Sequence, residues 1–217
     1  MKYDNTNLPK NVRAFLEEIF SDEKLCDAFY VRDVEIYDEA WVKDLEDNFQ
    51  EEFESLMGPG ESSYKSIKAF ARDATGALWV VLDDKLIGYI GTEGQCGIVS
   101  RNINEFMNII SVLKGSSLLG DFWDVDILSS EEAFINAYNE TDAEDDEVDY
   151  SEVLDKFIKK HGFTSDLTAI YEYIVRGLTI KPFFQVFATD DDYVDSDSVL
   201  GLDGQEQLEA LIEAISA

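Results

Sequence analysis

The chain of 217 residues carries 47 acidic against 17 basic side chains, a net charge of −30, with 45% hydrophobic and 12% aromatic residues. That apolar content excludes a disordered acidic tail, which would lack the side chains needed to offset chain entropy, and the charge excludes direct binding to nucleic-acid phosphates or an anionic lipid surface. The longest apolar stretches, Ala77 to Leu82 and the segment with Phe183, Phe184, Val186 and Phe187, fall far short of the ~20 residues that a membrane span requires.

The acid excess is uneven. Residues 1–60 carry 16 acids and 6 bases, residues 61–120 carry 6 and 6, and residues 121–217 carry 25 and 5. The neutral middle also concentrates glycine and β-type apolar residues, so it is expected to form the sheet, with acidic helices and loops around it. One α+β domain over 1–217 is expected: a helical part at 1–60, a sheet-forming centre at 61–120, and a helical part with acidic loops at 121–217. Such a field attracts basic proteins; the alternative is a surface that serves solubility alone.

In chain order, Val12, Phe15, Leu16, Ile19 and Phe20 share one helical face, with Pro9 tolerable in the first turn. The first twenty residues are interrupted by Asp4, Asn5, Asn7, Pro9, Lys10, Asn11 and Arg13 and so form no secretory apolar core. Ser21, Asp22 and Glu23 offer caps for a second helix with Leu25, Cys26, Phe29 and Tyr30. Trp41, Leu45, Phe49, Phe53 and Leu56 predict a third from Asp38 to Met57, ended by Gly58, Pro59 and Gly60. The period then changes. Ala77 to Leu82 and Leu86 to Ile90, joined by Asp83, Asp84 and Lys85, read as a hairpin, and Gly91 to Gly94 turn the chain into Gln95 to Ser100. Three adjacent antiparallel strands result. Ile103, Phe106, Met107, Ile110 and Leu113 then mark a helix, capped within Ser100 to Asn104. Further helices are predicted near Ser129, with Glu132 in capping-box spacing, near Ser151 and near Ser165. The run Glu140 to Asp149 is expected to be a solvated loop, Pro182 to Ala188 a strand, Asp190 to Asp197 an acidic loop, and Gln205 to Ile215 a closing helix.

The chemistry-bearing residues are few. Cys26 and Cys96 lie far apart outside any CxxC pattern, which fits a reducing, cytoplasmic location and two buried thiols. His161 is the only histidine, so a multi-histidine zinc site is excluded; it precedes Gly162 after Lys159 and Lys160, where a cation suits a helix C-terminus. Gly88, Gly91, Gly94 and Gly97 match no phosphate-binding loop, and Glu93 would repel a phosphate; they are expected to serve turns and bulges. Asp190, Asp191, Asp192, Asp195 and Asp197 lack the glycine and glutamate of a calcium loop, since Asp195 and Gly201 occupy those places. Trp41, Trp79 and Trp123 read as core anchors. No metal, no cofactor and no catalytic constellation is expected; an enzyme would need a carboxylate pair or a Cys96 and His161 dyad.

The segments FARDATGALWVVL at Phe70 to Leu82 and IGYIGTEGQCGIVSRNINEFMNII at Ile87 to Ile110 resemble the SUKH superfamily. This group includes yeast cell-wall-synthesis regulators and bacterial toxin-immunity proteins. Its phenylalanine-alanine start, glycine before an aromatic strand, glutamate-glycine turn and following helix are met in order by Phe70, Ala71, Gly76, Trp79, Glu93, Gly94 and Phe106. Gly58, Pro59 and Gly60 stand where the family often carries a leucine-proline segment. The resemblance covers about the middle fifth of the chain. It implies an α+β fold with a central antiparallel sheet flanked by helices, with helical extensions at both ends here. It further implies neutralisation of a cognate protein toxin by direct binding. The matched residues, with Gly91, are expected to be structural: Trp79 and Phe106 as core, Gly76 and Gly94 as turns, and Glu93 bonding loop amides.

Partner contacts are expected instead from the acidic surface, at Asp145, Asp146, Glu147, Asp190, Asp191, Asp192, Asp195 and Asp197. A basic toxin domain, such as a nuclease, is the expected partner; the alternative is a non-catalytic regulator or scaffold with endogenous protein partners.

Overall fold

The computed structural model describes residues 8–36, 39–113, 122–141, 149–200 and 209–213, with the backbone alone for 39–47. The chain is an α+β fold. Helices α1 (Lys10–Ser21), α2 (Glu23–Tyr30) and α3 (Glu39–Met57) precede strands β1 (Gly60–Ser62), β2 (Ile67–Arg72), β3 (Leu78–Leu82), β4 (Leu86–Ile90) and β5 (Gln95–Ser100). Then come helices α4 (Ile103–Val112), α5 (Val125–Leu128), α6 (Glu131–Glu140), α7 (Ser151–His161) and α8 (Leu167–Leu178), and strands β6 (Val186–Ala188) and β7 (Asp197–Ser198). Residues 209–213 are helical. No helix among the described residues is long and apolar enough to cross a membrane.

The main sheet runs β2-β3-β4-β5-β7; its first four strands are antiparallel, and β7 joins β5 in parallel. Strand alternation divides its side chains between two apolar clusters. On β3, Trp79 and Val81 face the larger cluster, while Leu78, Val80 and Leu82 face the smaller. The larger cluster is covered by α1, α2, α4, α7 and α8 through residues such as Leu16, Phe29, Ile109, Phe157 and Ile174. The smaller is covered by Phe53 and Met57 of α3, by Tyr64, and by Phe184 and Val186 of the segment entering β6. Both faces of the sheet are therefore dry, which is why β3 reads as an unbroken apolar run.

The three expected central strands are present, and the hairpin between β3 and β4 turns through Asp83 and Asp84 at φ 46° and 60°. Two of the observed caps lie among the residues expected for them, and one is displaced by a residue. Asp22, not Ser21, caps α2, accepting from the Leu25 amide, because Ser21 is still the last residue of α1 and donates to the Glu18 carbonyl. Ser130, not Ser129, caps α6; Ser129 follows α5 and donates to the Asp126 carbonyl, so the expected capping box is not formed. Asn102 caps α4 and Asp166 caps α8. The strand expected over Pro182 to Ala188 shortens to β6, since Phe184 leaves the ladder to pack against the sheet.

Phe70, Trp79 and Phe106 pack in the core, and Gly76 and Gly94 sit in turns. Trp79 and Phe106 are both 1% exposed with rings 5.0 Å apart; Phe70 meets Phe106 edge-on at 5.8 Å, and the indole N–H donates to the Asp33 carbonyl at 2.6 Å. Gly76 and Gly94 adopt φ of 96° and 84°. Gly91 does not share that conformation: the space beside it is filled by the Gln95 carboxamide, 2.4 Å from where a Cβ would stand. The Gln95 carboxamide, rather than the exposed Glu93 carboxylate, accepts the loop amide at Glu93. The side chain of Trp41 lies outside the described residues; Trp123 is in the core.

Candidate interaction surface

Strands β1 and β6 form a separate two-stranded ribbon in which Glu61 stands opposite Phe187 and Ser62 opposite Val186. Alternation sends Val186 inward, where it is 1% exposed in the smaller cluster, and turns Glu61 and Phe187 outward together. Phe187 is 45% exposed. The following loop adds Tyr193 at 51% and Val194 at 86%. Three of the four large hydrophobic side chains exposed among the described residues thus come from one short stretch, the fourth being Tyr30 on α2. Interleaved with them are exposed Asp190, Asp191, Asp192 and Asp195.

The loop is tied down at its base. Ser196 accepts the Val186 amide on Oγ at 2.8 Å and returns its own amide to the Val186 carbonyl at 2.8 Å. Asp195 Oδ1 accepts the Ala188 amide at 2.9 Å, and Asp190 Oδ1 accepts the Asp192 amide at 3.0 Å. The Thr189 amide and hydroxyl both donate to the Pro59 carbonyl. Tyr193 packs against Gly58, where an added Cβ would come within 2.5 Å of the ring. Gly58 therefore ends α3 at φ 71° and also makes room for the aromatic ring. Beneath the loop, Cys96 Sγ sits 3.2 Å from both the Phe184 carbonyl oxygen and Ser196 Oγ. Burial, reinforced by the Asp197 carboxylate and opposed by the Ser196 and Val186 hydrogen bonds, pushes this thiol up to about 12.

Of the acidic residues expected to meet a partner, Asp190, Asp191, Asp192 and Asp195 share this loop, whereas Asp197 is drawn into β7 beside Gln95 and is only partly exposed. Asp145, Asp146 and Glu147 lie outside the described residues. Sequence reasoning missed Glu61, Phe187, Tyr193 and Val194. The available signal was the charge pattern: residues 182–217 hold nine acids and no Lys, Arg or His. Apolar side chains exposed amid charge of one sign form an anchor-and-rim arrangement suited to a protein partner.

The other candidate groups are placed differently. His161 ends α7, as expected for a cation at a helix C-terminus; its Nε2 lies 3.1 Å from Glu18 of α1, and its ring rests among Phe15, Phe157 and Phe163. Those phenylalanines belong to the larger cluster and Cys96 to the smaller, on the opposite face of the sheet, so the two residues form no dyad. Among the described residues, no group of three or more His, Cys, Asp or Glu side chains converges as metal ligands would. Compared with known protein families, curated proteins and solved structures, the chain finds no match.

Proposed function

We propose that this chain is a non-catalytic binding protein that takes up a basic protein partner on the β1–β6 ribbon and its loop. The observation that carries the reading is the exposure of Phe187, Tyr193 and Val194 within an acidic segment that contains no base. Large exposed aromatics supply most of the affinity in protein interfaces, and a field of one sign steers an oppositely charged partner. The SUKH-like segments give the reading its direction: the partner is a toxin domain, and its capture is immunity. A basic nuclease would suit such a surface, because acids that mimic nucleic-acid charge can cover its substrate groove.

The test is a pull-down of toxin domains encoded near this gene, at low and high salt, beside Phe187→Ala and Tyr193→Ala. Salt-sensitive capture of one basic toxin with loss of its toxicity is expected. Each truncation should weaken capture roughly 30-fold, the size of an interface hot spot. Capture of housekeeping proteins alone would favour the regulator or scaffold alternative, and capture indifferent to both truncations would remove this face from consideration.

A further inference from the structure

We infer that the partner binds by adding a strand to the outer edge of β1. This rests on the reading of the β1–β6 ribbon as a partner surface and specifies how that surface is used. In an antiparallel pair, residues that exchange backbone bonds alternate with residues whose N–H and C=O point away from the neighbouring strand. The flanking bonds fix the phase here. Thr189 donates its amide to the Pro59 carbonyl and Ser63 donates its amide to the Gln185 carbonyl, so Glu61 and Phe187 are the bonded pair between them. Gly60 and Ser62 on β1, and Val186 and Ala188 on β6, consequently turn their backbone groups outward.

On β6 the outward groups are taken. The Val186 amide and carbonyl bond Ser196, and the Ala188 amide bonds Asp195. On the outer edge of the main sheet, Arg72 of β2 exchanges backbone bonds with Glu35 at 2.8 and 3.1 Å. On β1, among the described residues, no hydrogen bond reaches the outward backbone groups of Gly60 and Ser62. Gly60 and Ser62 are partly exposed and Glu61 is exposed. An open strand edge is a template for another chain, and proteins ordinarily cover it.

The occupant fitted to this edge is an extended, basic segment of the protein partner. Its alternate side chains would fall on the face that carries Glu61 and Phe187. Lysine or arginine there meets Glu61 and the acidic loop, and an apolar residue reaches Phe187. The loop tip, folded over Gly58 and Pro59, adds Asp190 to Asp192 and Tyr193 at the N-terminal end of β1.

A displayed library of random peptides panned against the whole chain tests this. Selected peptides should alternate basic with apolar residues, and their binding should slow amide hydrogen exchange at Gly60 and Ser62 by roughly tenfold or more. Ser62→Pro removes an outward N–H that the β1–β6 ladder does not use, together with the Ser62 Oγ that accepts the Tyr64 amide at 3.0 Å, so it should fold with a modest loss of stability while weakening peptide binding roughly tenfold or more. If that variant fails to fold, the exchange measurement on the unaltered chain still decides. Peptides that depend on Phe187 and Tyr193 but protect neither Gly60 nor Ser62 would refute strand addition and leave the binding face standing. Peptides that protect both amides yet ignore Phe187→Ala and Tyr193→Ala would support the edge and refute the aromatic anchors. Selection of no alternating basic sequence would overturn the inference.

Discussion

Asp73 turns its carboxylate inward although most acids among the described residues face water. Oδ1 accepts from the Thr75 amide, the Thr75 hydroxyl and the Ala77 amide, and Oδ2 accepts from the Tyr89 hydroxyl at 2.6 Å. One side chain therefore closes the β2–β3 turn and ties it to β4. Asp73→Ala strips the partner from the buried Ala77 amide and the half-buried Tyr89 hydroxyl and should lower stability by about 1–3 kcal/mol in urea unfolding; no measurable loss would show that the network is dispensable. Burial, with Asp73 adding to it, raises the Tyr89 phenol far above its ordinary range, so its proton stays to hold that bond. The two thiols should also part company. Cys96, buried and pushed up to about 12, should react with a thiol reagent only on unfolding, whereas half-buried Cys26 should react in the native state. Its rate should be slowed, because burial first and then Asp27 and Glu35 raise its pKa. Native labelling of both at one rate would contradict this placement.

At the scale of elements, α8 approaches β5 through Gly177, where an added Cβ would stand 2.7 Å from the Val99 carbonyl oxygen. A backbone oxygen in a central strand cannot yield, so Gly177→Ala must push the helix away. The expected overpacking cost of about 1–3 kcal/mol outweighs the roughly 1 kcal/mol gain in helix propensity, and the urea midpoint should fall. The joint between α1 and α7 depends on pH. Burial raises the pKa of Glu18, but hydrogen bonds and charge from Lys160 and His161 outweigh it and hold the carboxyl below its ordinary 4.5. A carboxylate depressed in the fold contributes stability that is present above 4.5 and is lost as pH falls through its folded value. Glu18→Gln should lower the unfolding midpoint modestly at about pH 7 and make little difference at about pH 3, since solvent screens a partly exposed pair. An equal loss at both would assign the effect to packing. Apart from the four-residue α5, too short to show a period, the helices and β3 to β5 were legible because their apolar periods are their own. Lys68 and Arg72 interrupt β2, and Gly60 to Ser62 and Asp197 to Ser198 have little strand propensity, so long-range pairing creates β1 and β7. The acids of the loop were legible from composition, but which apolar residue between Phe183 and Phe187 faces water is set by the ribbon's phase. Tyr193 and Val194 are exposed in the loop whose base the Ser196 and Asp195 bonds anchor to β6, an arrangement set by long-range bonds and not by the local pattern.

For the molecule as a whole, the −30 charge should give folding and association opposite salt dependences. Folding gathers like charges, so added salt should relieve self-repulsion and raise the unfolding midpoint. Ion pairs such as Lys160 with Glu18 and Arg72 with Glu52 pull the other way, but partly exposed pairs contribute only about 0–1 kcal/mol each. Partner capture joins opposite charges, and the same salt should weaken it, mainly by slowing association. Raising salt from about 0.05 to 0.5 M shortens the screening length from over 10 Å to roughly 4–5 Å, spanning the range in which both effects should appear. A rising unfolding midpoint beside falling capture would separate the binding surface from a surface that serves solubility alone. A falling midpoint would mean that the ion pairs between elements, rather than the net charge, govern the acidic periphery.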